Sequence, residues 1–477
     1  MTSTIPIKHI LTLAALLLAP LAALHAVESK PSKPNIILIM ADDLGYECVT
    51  ANGGQSYQTP HLDQLAAAGM RFEQCHVQPL CTPTRAQLMT GRYNVRNYLN
   101  FGTLVRTETT FGHLLKQAGY VTGICGKWQL GDEKDSPQHF GFDESLLWQQ
   151  TRRPPRYANP GLELNGEEKE YPEGSYGPKL INDFALDFVT RHSRAERDSV
   201  PQAARRAGAE APSNEAPFFL YYPMILTHNP FQPTPDSPDW DPTTRGENRL
   251  QKKNHFADMV TYMDKMVARL DAKLGELGIR DNTLLIFLGD NGTNKDIASR
   301  FNSVEYSGGK GTTTHRGTHV PLIASWPAVI KQPRVNRDLI SSTDFLPTLC
   351  AAAGVTVPAN VDGVSFLPQV RGEKGTPREW LYTWYSPRQS ADLTVREYAF
   401  DQRFKLYRTG QFFDLATDPE EKAALPSAQL EGEAATAAKK LQDALAQFKD
   451  ARPTELDRIF EQSARENPRE KKKKNAR

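Results

Sequence analysis

Residues 35–43 read Asn-Ile-Ile-Leu-Ile-Met-Ala-Asp-Asp, an unbroken apolar run that leads directly into two aspartates. A short run of this kind predicts a strand that is buried on both faces, as in a parallel sheet covered by helices. Three further apolar runs have the same form, at residues 120–125, 218–222 and 284–288. Together the four runs predict an α/β fold with a large, mostly parallel central sheet sandwiched by helices.

Each of these runs leads towards polar side chains of chemically useful types. In chain order they are Asp42 and Asp43, Lys127, His228, and Asp290 with Asn291. Because ligands bind beyond the carboxyl ends of parallel strands, we expect these side chains at one edge of the sheet. The carboxylate and amide oxygens suit a hard cation, Ca²⁺ or Mg²⁺, and disfavour zinc. The alternative interpretation is that the aspartates are only helix caps or turn residues.

Residues 81–92 read Cys-Thr-Pro-Thr-Arg-Ala-Gln-Leu-Met-Thr-Gly-Arg. Pro83 has a fixed φ and lacks an amide hydrogen, so it suits the first turn of a helix that begins near Cys81. There the free amide groups and the helix dipole favour an anion. Arg85, four residues further on, is expected on the same helix face within reach of Cys81. The alternative is a buried or disulfide-bonded cysteine before an ordinary helix.

The run 81–92 resembles the C-x-P-x-R signature of type I sulfatases, in which the cysteine is oxidised to formylglycine. Residues 126–131, Gly-Lys-Trp-Gln-Leu-Gly, are similar to the family's G-K-W-H-L-G, and residues 308–311 to its later lysine loop. Two departures stand out. Gln129 replaces the usual histidine, and residues 315–319, His-Arg-Gly-Thr-His, replace the commoner E-G-G-x-R. The resemblance implies the alkaline-phosphatase-like sulfatase fold.

The resemblance also implies roles for individual residues. The metal ligands it implies, for Ca²⁺ with Mg²⁺ less favoured, are Asp42, Asp43, Cys81, Asp290 and Asn291. The catalytic residues it implies are Cys81, Arg85, Lys127, Gln129, His228 and Lys310. Of these, Lys127, His228 and Lys310 are expected to bind the sulfate group, and His228 to protonate the departing alcohol. Glutamine has no titratable group near neutral pH, so we expect another group or water to take the proton that the family's histidine removes.

The function implied is a sulfuric ester hydrolase that removes sulfate from a sulfated sugar or polysaccharide. It requires a formylglycine-generating maturation enzyme as a partner. One alternative is a phosphodiesterase or phosphonate hydrolase of the same superfamily. Another is a non-catalytic protein that binds sulfated glycans and whose Cys81 stays unmodified. Residues that follow the motifs and are candidates for binding further anionic groups are Arg92, Arg96, Trp148, Arg152, Arg153 and Arg156.

Composition and charge agree with a large enzyme. The chain has 477 residues, of which 39% are hydrophobic, and a formal net charge of +1, which argues against general nucleic-acid binding. Residues 1–26 resemble a secretory signal peptide, because an apolar run at 10–24 follows a basic start and is too short to span a bilayer. We therefore expect no membrane span and export to the periplasm or the extracellular space.

The rest of the chain divides by its patterns. Residues 27–375 are expected to form the catalytic α/β domain, and residues 376–450 a small C-terminal subdomain with an antiparallel sheet. Residues 451–477 are highly charged and are expected to be a disordered tail. Residues 191–216 are expected to form a solvated insertion. If Cys81 is modified, the other four cysteines are enough for two disulfides, or they stay free and buried.

Overall fold

A computed structural model describes residues 33–193, 216–244, 252–389, 393–426 and 429–466. The expected signal peptide, most of the expected insertion and the lysine-rich end of the chain lie outside these described residues. The described residues from Pro34 onward belong to one compact unit.

The strands of the described residues are named here in chain order. They are β1 (Asn35–Ala41), β2 (Met70–Phe72), β3 (Cys75–His76), β4 (Val121–Lys127), β5 (Glu144–Trp148), β6 (Leu162–Leu164), β7 (Glu167–Lys169), β8 (Phe218–Pro223), β9 (Thr283–Gly289), β10 (Ala298–Phe301), β11 (Val304–Ser307), β12 (Leu322–Ser325), β13 (Arg334–Asn336), β14 (Ile340–Ser341), β15 (Leu381–Tyr385), β16 (Arg396–Phe400), β17 (Phe404–Tyr407) and β18 (Phe412–Asp414).

The α-helices are named in the same way. They are α1 (Pro60–Ala68), α2 (Cys81–Thr90), α3 (Asn94–Asn97), α4 (Phe111–Gln117), α5 (Ser136–His139), α6 (Gly177–Arg191), α7 (His255–Glu276), α8 (His315–Thr318), α9 (Phe345–Ala353), α10 (Leu367–Arg371), α11 (Gly432–Ala446) and α12 (Thr454–Glu466). Short 3₁₀ helices lie at Tyr46–Cys48, Thr50–Asn52 and Ser342–Asp344.

Within the described part of the chain, ten strands form the main sheet, in the order β13-β2-β12-β9-β1-β8-β4-β5-β6-β7. The central strands β9, β1, β8, β4 and β5 are all parallel. The outer strands include antiparallel pairs, such as β12 with β9 and β5 with β6. The predicted parallel sheet is therefore confirmed at its centre. Its antiparallel margins consist of strands of three or four residues, which carry little periodic signal of their own.

Both faces of the sheet are buried, as the continuous apolar runs predict. Along β1, alternate side chains enter two different cores: Ile36 and Leu38 face one, Ile37 and Ile39 the other. Residues of α2, α4 and α9 pack in the first core, and residues of α1, α6 and α7 in the second. The parallel register brings the carboxyl ends of the central strands to one edge, where the candidate residues lie.

A four-stranded antiparallel sheet, in the order β15-β16-β17-β18, follows the catalytic part of the chain. Helix α11 covers one of its faces through Ala437, Leu441 and Ala444. These side chains pack with Trp384 and Phe412 of the sheet. The small antiparallel C-terminal sheet expected from the aromatic-rich sequence is therefore present.

The expectation of a disordered tail from residue 451 is wrong for residues 454–466, which form α12. Leu456 and Phe460 of this helix are buried, and Asp457 pairs with Arg388 at 2.6 Å. Local charge favoured solvation, but these tertiary contacts stabilise the helix. None of the described helices is both long and apolar enough to cross a membrane.

The five cysteines, all of them in described residues, are buried and free. The structure therefore contains neither of the two disulfides that the cysteine count allows. Free buried cysteines behave as small apolar side chains in a core of this size.

Candidate active site

Asp42 and Asp43 follow β1, and Asp290 and Asn291 follow the neighbouring strand β9. All four side chains are fully buried. The Asp43 amide donates to Asp290 Oδ1 at 3.0 Å, so the two strand ends are joined directly. Asp43 has a φ of 63°, in the left-handed region that aspartate tolerates better than most residues. The two acidic pairs predicted from separate motifs therefore form one cluster.

Helix α2 begins at Cys81 and presents this residue to the acidic cluster. The preceding residue is extended, Pro83 lies in the first turn, and Gly91 ends the helix with a φ of 66°. Cys81 Sγ lies 3.3 Å from Asp42 Oδ1 and 3.9 Å from Asp43 Oδ1. Burial, and next the carboxylate of Asp290, raise the pKa of the Cys81 thiol well above its usual value. An unmodified Cys81 is therefore a neutral thiol and a poor nucleophile.

Arg85 is fully buried one helical turn after Cys81. Its Nη2 donates to Asp290 Oδ2 at 3.0 Å, and its Nη1 donates to the Lys127 carbonyl at 2.8 Å. The guanidinium therefore links the ends of two strands, β4 and β9, to helix α2. Burial and the neighbouring Asp42 raise the pKa of Asp290 to about 7 in spite of this ion pair.

Two lysines complete the charges around the cluster. Lys127, the last residue of β4, donates to both oxygens of Asp42, at 3.1 and 2.9 Å. Lys310 lies in the loop after β11 and contacts both oxygens of Asp43, at 2.6 and 2.7 Å. Burial alone would raise the pKa of Asp42, but Lys127 and the other cations hold it well below its usual value. Asp42 is therefore ionised.

His228 lies beyond the end of β8, on the same side of the sheet. Its Nε2 is 3.9 Å from Asp43 Oδ2, and its side chain is 13% exposed. Burial lowers the pKa of His228 to about 3, although the two aspartates oppose this shift. Arg156 Nη1 lies 2.9 Å from His228 Nδ1, and the Arg156 guanidinium stacks on the Trp148 ring at 4.0 Å.

Gln129 follows β4 with a φ of 57° and is 6% exposed. Its backbone amide lies 3.5 Å from the Gln149 carbonyl oxygen. Its side-chain oxygen is buried and has no hydrogen-bond partner among the described residues. Because buried polar atoms are normally paired, this oxygen is a candidate to accept a hydrogen bond from a bound group.

The donors in the cluster fit a divalent cation. Ligand atoms of Asp42, Asp43, Cys81 and His228 all lie within 4.8 Å of one another. Asn291 Nδ2 donates to Asp43 Oδ1 at 2.8 Å, which leaves Asn291 Oδ1 buried and without a partner among the described residues. Asp290 lies outside this closest group, and its two oxygens bind Arg85 and the Asp43 amide. The oxygen atoms of Asp42, Asp43, Asp290 and Asn291 are the donors that suit Ca²⁺ or Mg²⁺.

The structure brings nine of the ten predicted site residues into one cluster, which contains Asp42, Asp43, Cys81, Arg85, Lys127, His228, Asp290, Asn291 and Lys310. Gln129 follows the end of β4, two residues after Lys127, and the roles of all ten residues stay predictions. The residues that sequence reasoning did not single out as neighbours of the site are Arg156 and Tyr157. The Tyr157 hydroxyl donates to the carbonyl oxygens of Ile225 and His228 and so supports the His228 turn. Arg156 was expected only as one of several loop arginines. Its contact spans 72 positions of the chain and has no local sequence signal.

The other candidate loop residues have other contacts. Arg92 pairs with Glu108 at 2.7 Å, Arg96 with Asp362 at 3.0 Å, and Arg152 with Glu168. The Trp148 side chain is buried, and its Nε1 donates to the Pro154 carbonyl. Arg153 is exposed.

This fold and site define a hydrolase of the alkaline-phosphatase-like superfamily. The sequence matches the family described as Sulfatase over residues 34–355, and N-sulphoglucosamine sulphohydrolase, C-terminal, over residues 310–451. The chain belongs to the sulfatase family and is a sulfatase enzyme.

Two curated relatives are similar over most of the chain. Human arylsulfatase A is 34% identical over 387 residues, which cover 77% of this chain and 73% of that protein. The N-acetylgalactosamine-6-sulfatase of Canis lupus familiaris is 31% identical over 405 residues, covering 77% and 72%.

Solved structures agree on the fold. Ps i-CgsB superposes with a TM-score of 0.69 at 25% identity, covering 88% of this chain and 94% of that one. BT4656, solved in complex with its substrate D-glucosamine-2-N,6-O-disulfate, superposes with a TM-score of 0.68 at 22% identity and covers 88% and 98%. At that identity the second likeness supports the fold alone.

Proposed function

We propose that this sulfatase removes sulfate from a sulfated carbohydrate, with formylglycine at position 81 and a calcium ion held by the acidic cluster. The observation that carries the proposal is the position of Cys81 Sγ, 3.3 Å from Asp42 at the N-terminus of α2. The neutral thiol is a poor nucleophile, whereas a hydrated aldehyde at the same place would supply a hydroxyl nucleophile. When bound, the cation would offset the charge of the carboxylates and favour ionisation of that hydroxyl.

The cationic side chains suit an anionic ester. Lys127 reaches the cluster from the end of β4 and Lys310 from the loop after β11, each with its ammonium group beside a carboxylate of the metal set. In the proposal they bind sulfate oxygens as charge shifts onto them in the transition state. Arg85 holds Asp290 and the β4 end in place, so its part is to orient the nucleophile and the ligand set.

His228 is the proposed partner of the leaving group. Its Nε2 faces the cluster, and Arg156 and Tyr157 hold the other side of the residue. In the proposal the sulfate anion beside Nε2 favours the protonated form of His228, whose pKa burial otherwise lowers to about 3, and the alcohol oxygen takes that proton when the S–O bond breaks. Gln129 supplies a hydrogen bond but no proton, so water or another group takes up the proton when the aldehyde is restored.

A carbohydrate substrate and export are further parts of the proposal. A 31% identical relative is named N-acetylgalactosamine-6-sulfatase, and Ps i-CgsB was solved with k-i-k-neocarrahexaose. The signal-like residues 1–26 support export to the periplasm or extracellular space, where sulfated polysaccharides are accessible. The proposal also requires a formylglycine-generating enzyme in the producing cell.

The test begins with the mass of the tryptic peptide 72–85, from protein co-expressed with a formylglycine-generating enzyme. Conversion of residue 81 lowers the peptide mass by about 18 Da, and fragmentation distinguishes residue 81 from Cys75 in the same peptide. Sulfate release is then measured on a panel of sulfated mono- and oligosaccharides, with Cys350→Ala as a control for a buried cysteine of α9.

We expect the converted peptide and release from at least one sulfated sugar. Conversion with cleavage of only phosphate diesters or phosphonates would replace the proposal with the superfamily alternative. A phosphonate monoester hydrolase of Agrobacterium radiobacter shares the fold, with a TM-score of 0.62 at 17% identity. An unmodified thiol with no sulfate release would contradict the formylglycine proposal itself.

A further inference from the structure

The loop that carries Lys310 is held on one side by the catalytic sheet. The Lys310 amide donates to the Thr293 carbonyl at 2.9 Å, close to the end of β9. The next amide, of Gly311, donates to the Pro79 carbonyl at 2.8 Å, just before Cys81. These two backbone hydrogen bonds connect the Lys310 loop to the segment after β9, which carries Asp290, and to the segment just before Cys81.

The other side of this loop is held by the C-terminal sheet. Lys405 of β17 donates through Nζ to the Thr313 carbonyl at 2.5 Å and to Glu421 Oε1 at 2.7 Å. The Tyr407 hydroxyl donates to Glu421 Oε2 at 2.5 Å, so it accepts from the Thr313 hydroxyl at 2.8 Å. Thr313 is therefore bound twice, three residues after Lys310.

The Lys405–Glu421 pair is buried at a cost. The two side chains are 1% and 6% exposed, and Lys405 Nζ lies 3.9 Å from the centre of the Tyr398 ring. Burial lowers the pKa of Lys405 to about 8. Glu421 also has a φ of 55°, an unusual conformation for a residue other than glycine. A buried ion pair is often no more stabilising than apolar side chains, so fold stability alone does not account for it.

We propose that Lys405 and Glu421 are positioning residues for catalysis: they hold Thr313, and through it place the ammonium group of Lys310 at the sulfate-binding position. The C-terminal sheet is then a working part of the active site, although its own strands contribute none of the predicted catalytic residues. This inference rests on the proposed role of Lys310 in binding sulfate.

The first experiment combines the double variant Lys405→Met/Glu421→Gln with Lys310→Ala. Removing both charges leaves no buried ion without a counter-ion, so the thermal unfolding temperature should fall only slightly below that of the wild type. A displaced Lys310 should raise KM for a sulfate ester by about 10-fold to 10²-fold. In a Lys310→Ala background the same double change should add less than about 2-fold, because the residue it positions is already gone.

The matched control is Lys440→Met. It removes the ion pair between Lys440 and Asp401, at 2.7 Å, in the same subdomain but away from the Lys310 loop. We expect wild-type KM from this variant. If the double variant fails to fold, Tyr407→Phe removes only the hydroxyl between Thr313 and Glu421 and should raise KM about 3-fold, with the same dependence on Lys310. The inference would be overturned if either variant raised KM by the same factor in the Lys310→Ala background as in the wild type.

The second experiment needs no catalysis. Amide hydrogen exchange across residues 309–316 should be at least about 10-fold faster in the double variant Lys405→Met/Glu421→Gln than in the wild type or in Lys440→Met. If the double variant does not fold, the comparison uses Tyr407→Phe. Unchanged exchange would overturn the inference even if sulfate release were impaired. Conversely, if the wild type released no sulfate from any ester, the proposed function would fail. The exchange result would still show whether Lys405 and Glu421 hold the loop. Faster exchange would then support their structural role without a role in catalysis.

Discussion

Two clusters of titratable side chains lie near the carboxyl edge of the main sheet. One consists mainly of ionised groups and the other of neutral ones. The catalytic cluster keeps its charges: Lys127 binds Asp42, Lys310 binds Asp43, and Arg85 binds Asp290. A second cluster contains His76, His315 and His319, and it stays neutral.

The rings of this histidine cluster pack as aromatic groups. The His76 ring lies 4.7 Å from that of His315 and 4.9 Å from that of His319, and His319 stacks on Tyr46 at 4.0 Å. Burial lowers the pKa of His319 to about 4 and those of the other two histidines well below the usual value. The comparison teaches that the catalytic cluster keeps its buried charges because each is paired with an opposite charge, whereas the three histidines pack as neutral rings.

Cys81→Ala is the change with the largest expected effect on this comparison. It leaves all the charged residues of the catalytic cluster in place but removes the proposed nucleophile. We expect kcat for sulfate release to fall by about 10⁴-fold to 10⁶-fold, the range for loss of a nucleophile. Calcium affinity and the unfolding temperature should change little, because the four oxygen ligands of the metal set remain. Turnover near the wild-type rate, measured by ion chromatography of released sulfate, would show that the charges alone are sufficient.

Asp290→Asn tests whether the catalytic charges hold a metal. The amide keeps the shape of the side chain but removes one carboxylate, so calcium affinity measured by calorimetry should fall by about 10-fold to 10²-fold and activity with it. The matched control is Asp344→Asn, which weakens another buried ion pair, with Arg378, and should leave calcium affinity unchanged. Full activity of chelator-treated wild type without added metal would contradict the metal-assisted mechanism.

His228→Ala distinguishes proton donation from sulfate binding. A sugar alcohol is a poor leaving group, so its release should slow by about 10²-fold to 10⁴-fold. Release from nitrophenyl sulfate should slow much less, since nitrophenolate departs without a proton. The measurement is kcat/KM on both substrates with the same enzyme preparation. Equal losses would assign His228 to sulfate binding alone.

Gln129 makes the catalytic cluster of this chain differ from the pattern it resembles. The side-chain oxygen is buried without a partner among the described residues, so it is placed to orient a bound group but cannot accept a proton as a base. We expect sustained turnover of a good sugar substrate, with a decrease of about 10-fold in Gln129→Ala. A single-turnover burst followed by almost no release in stopped-flow or quench-flow kinetics would show a trapped intermediate instead.

The neutrality of the histidine cluster predicts a smaller, pH-dependent effect. These histidines have lower pKa values folded than unfolded, so the unfolded chain binds more protons between about pH 6.5 and pH 4 and stability falls as the pH falls through this window. His319→Gln keeps a donor for the Glu73 carbonyl but removes one titrating group. We expect it to reduce the loss of unfolding free energy between pH 6.5 and 4.5 by roughly 2 kcal/mol. Parallel stability–pH curves for variant and wild type would show that His319 does not titrate on unfolding.

Much of the fold and the candidate site could be predicted from local sequence. The run before Asp42 predicts a strand buried on both faces because its apolar pattern has no polar interruption, and β1 is indeed the centre of the sheet. Pro83 predicted the start of α2, and β4 and β9 end where Lys127 and Asp290 indicated. These features depend on neighbours within a few residues, so the sequence alone determined them.

Tertiary structure decided the features that depend on distant partners. Arg156 contacts His228, and Lys405 contacts Thr313. Helix α12 forms in a segment that was expected to be disordered, and Asp457 and its apolar neighbours stabilise it by packing on the rest of the fold. Likewise, residues 315–319 depart from the family pattern, and only the structure shows that His315 and His319 pack against His76. In each case the free energy of the contact depends on which side chains the packing of the sheets brings together. No local periodicity or spacing carries that information.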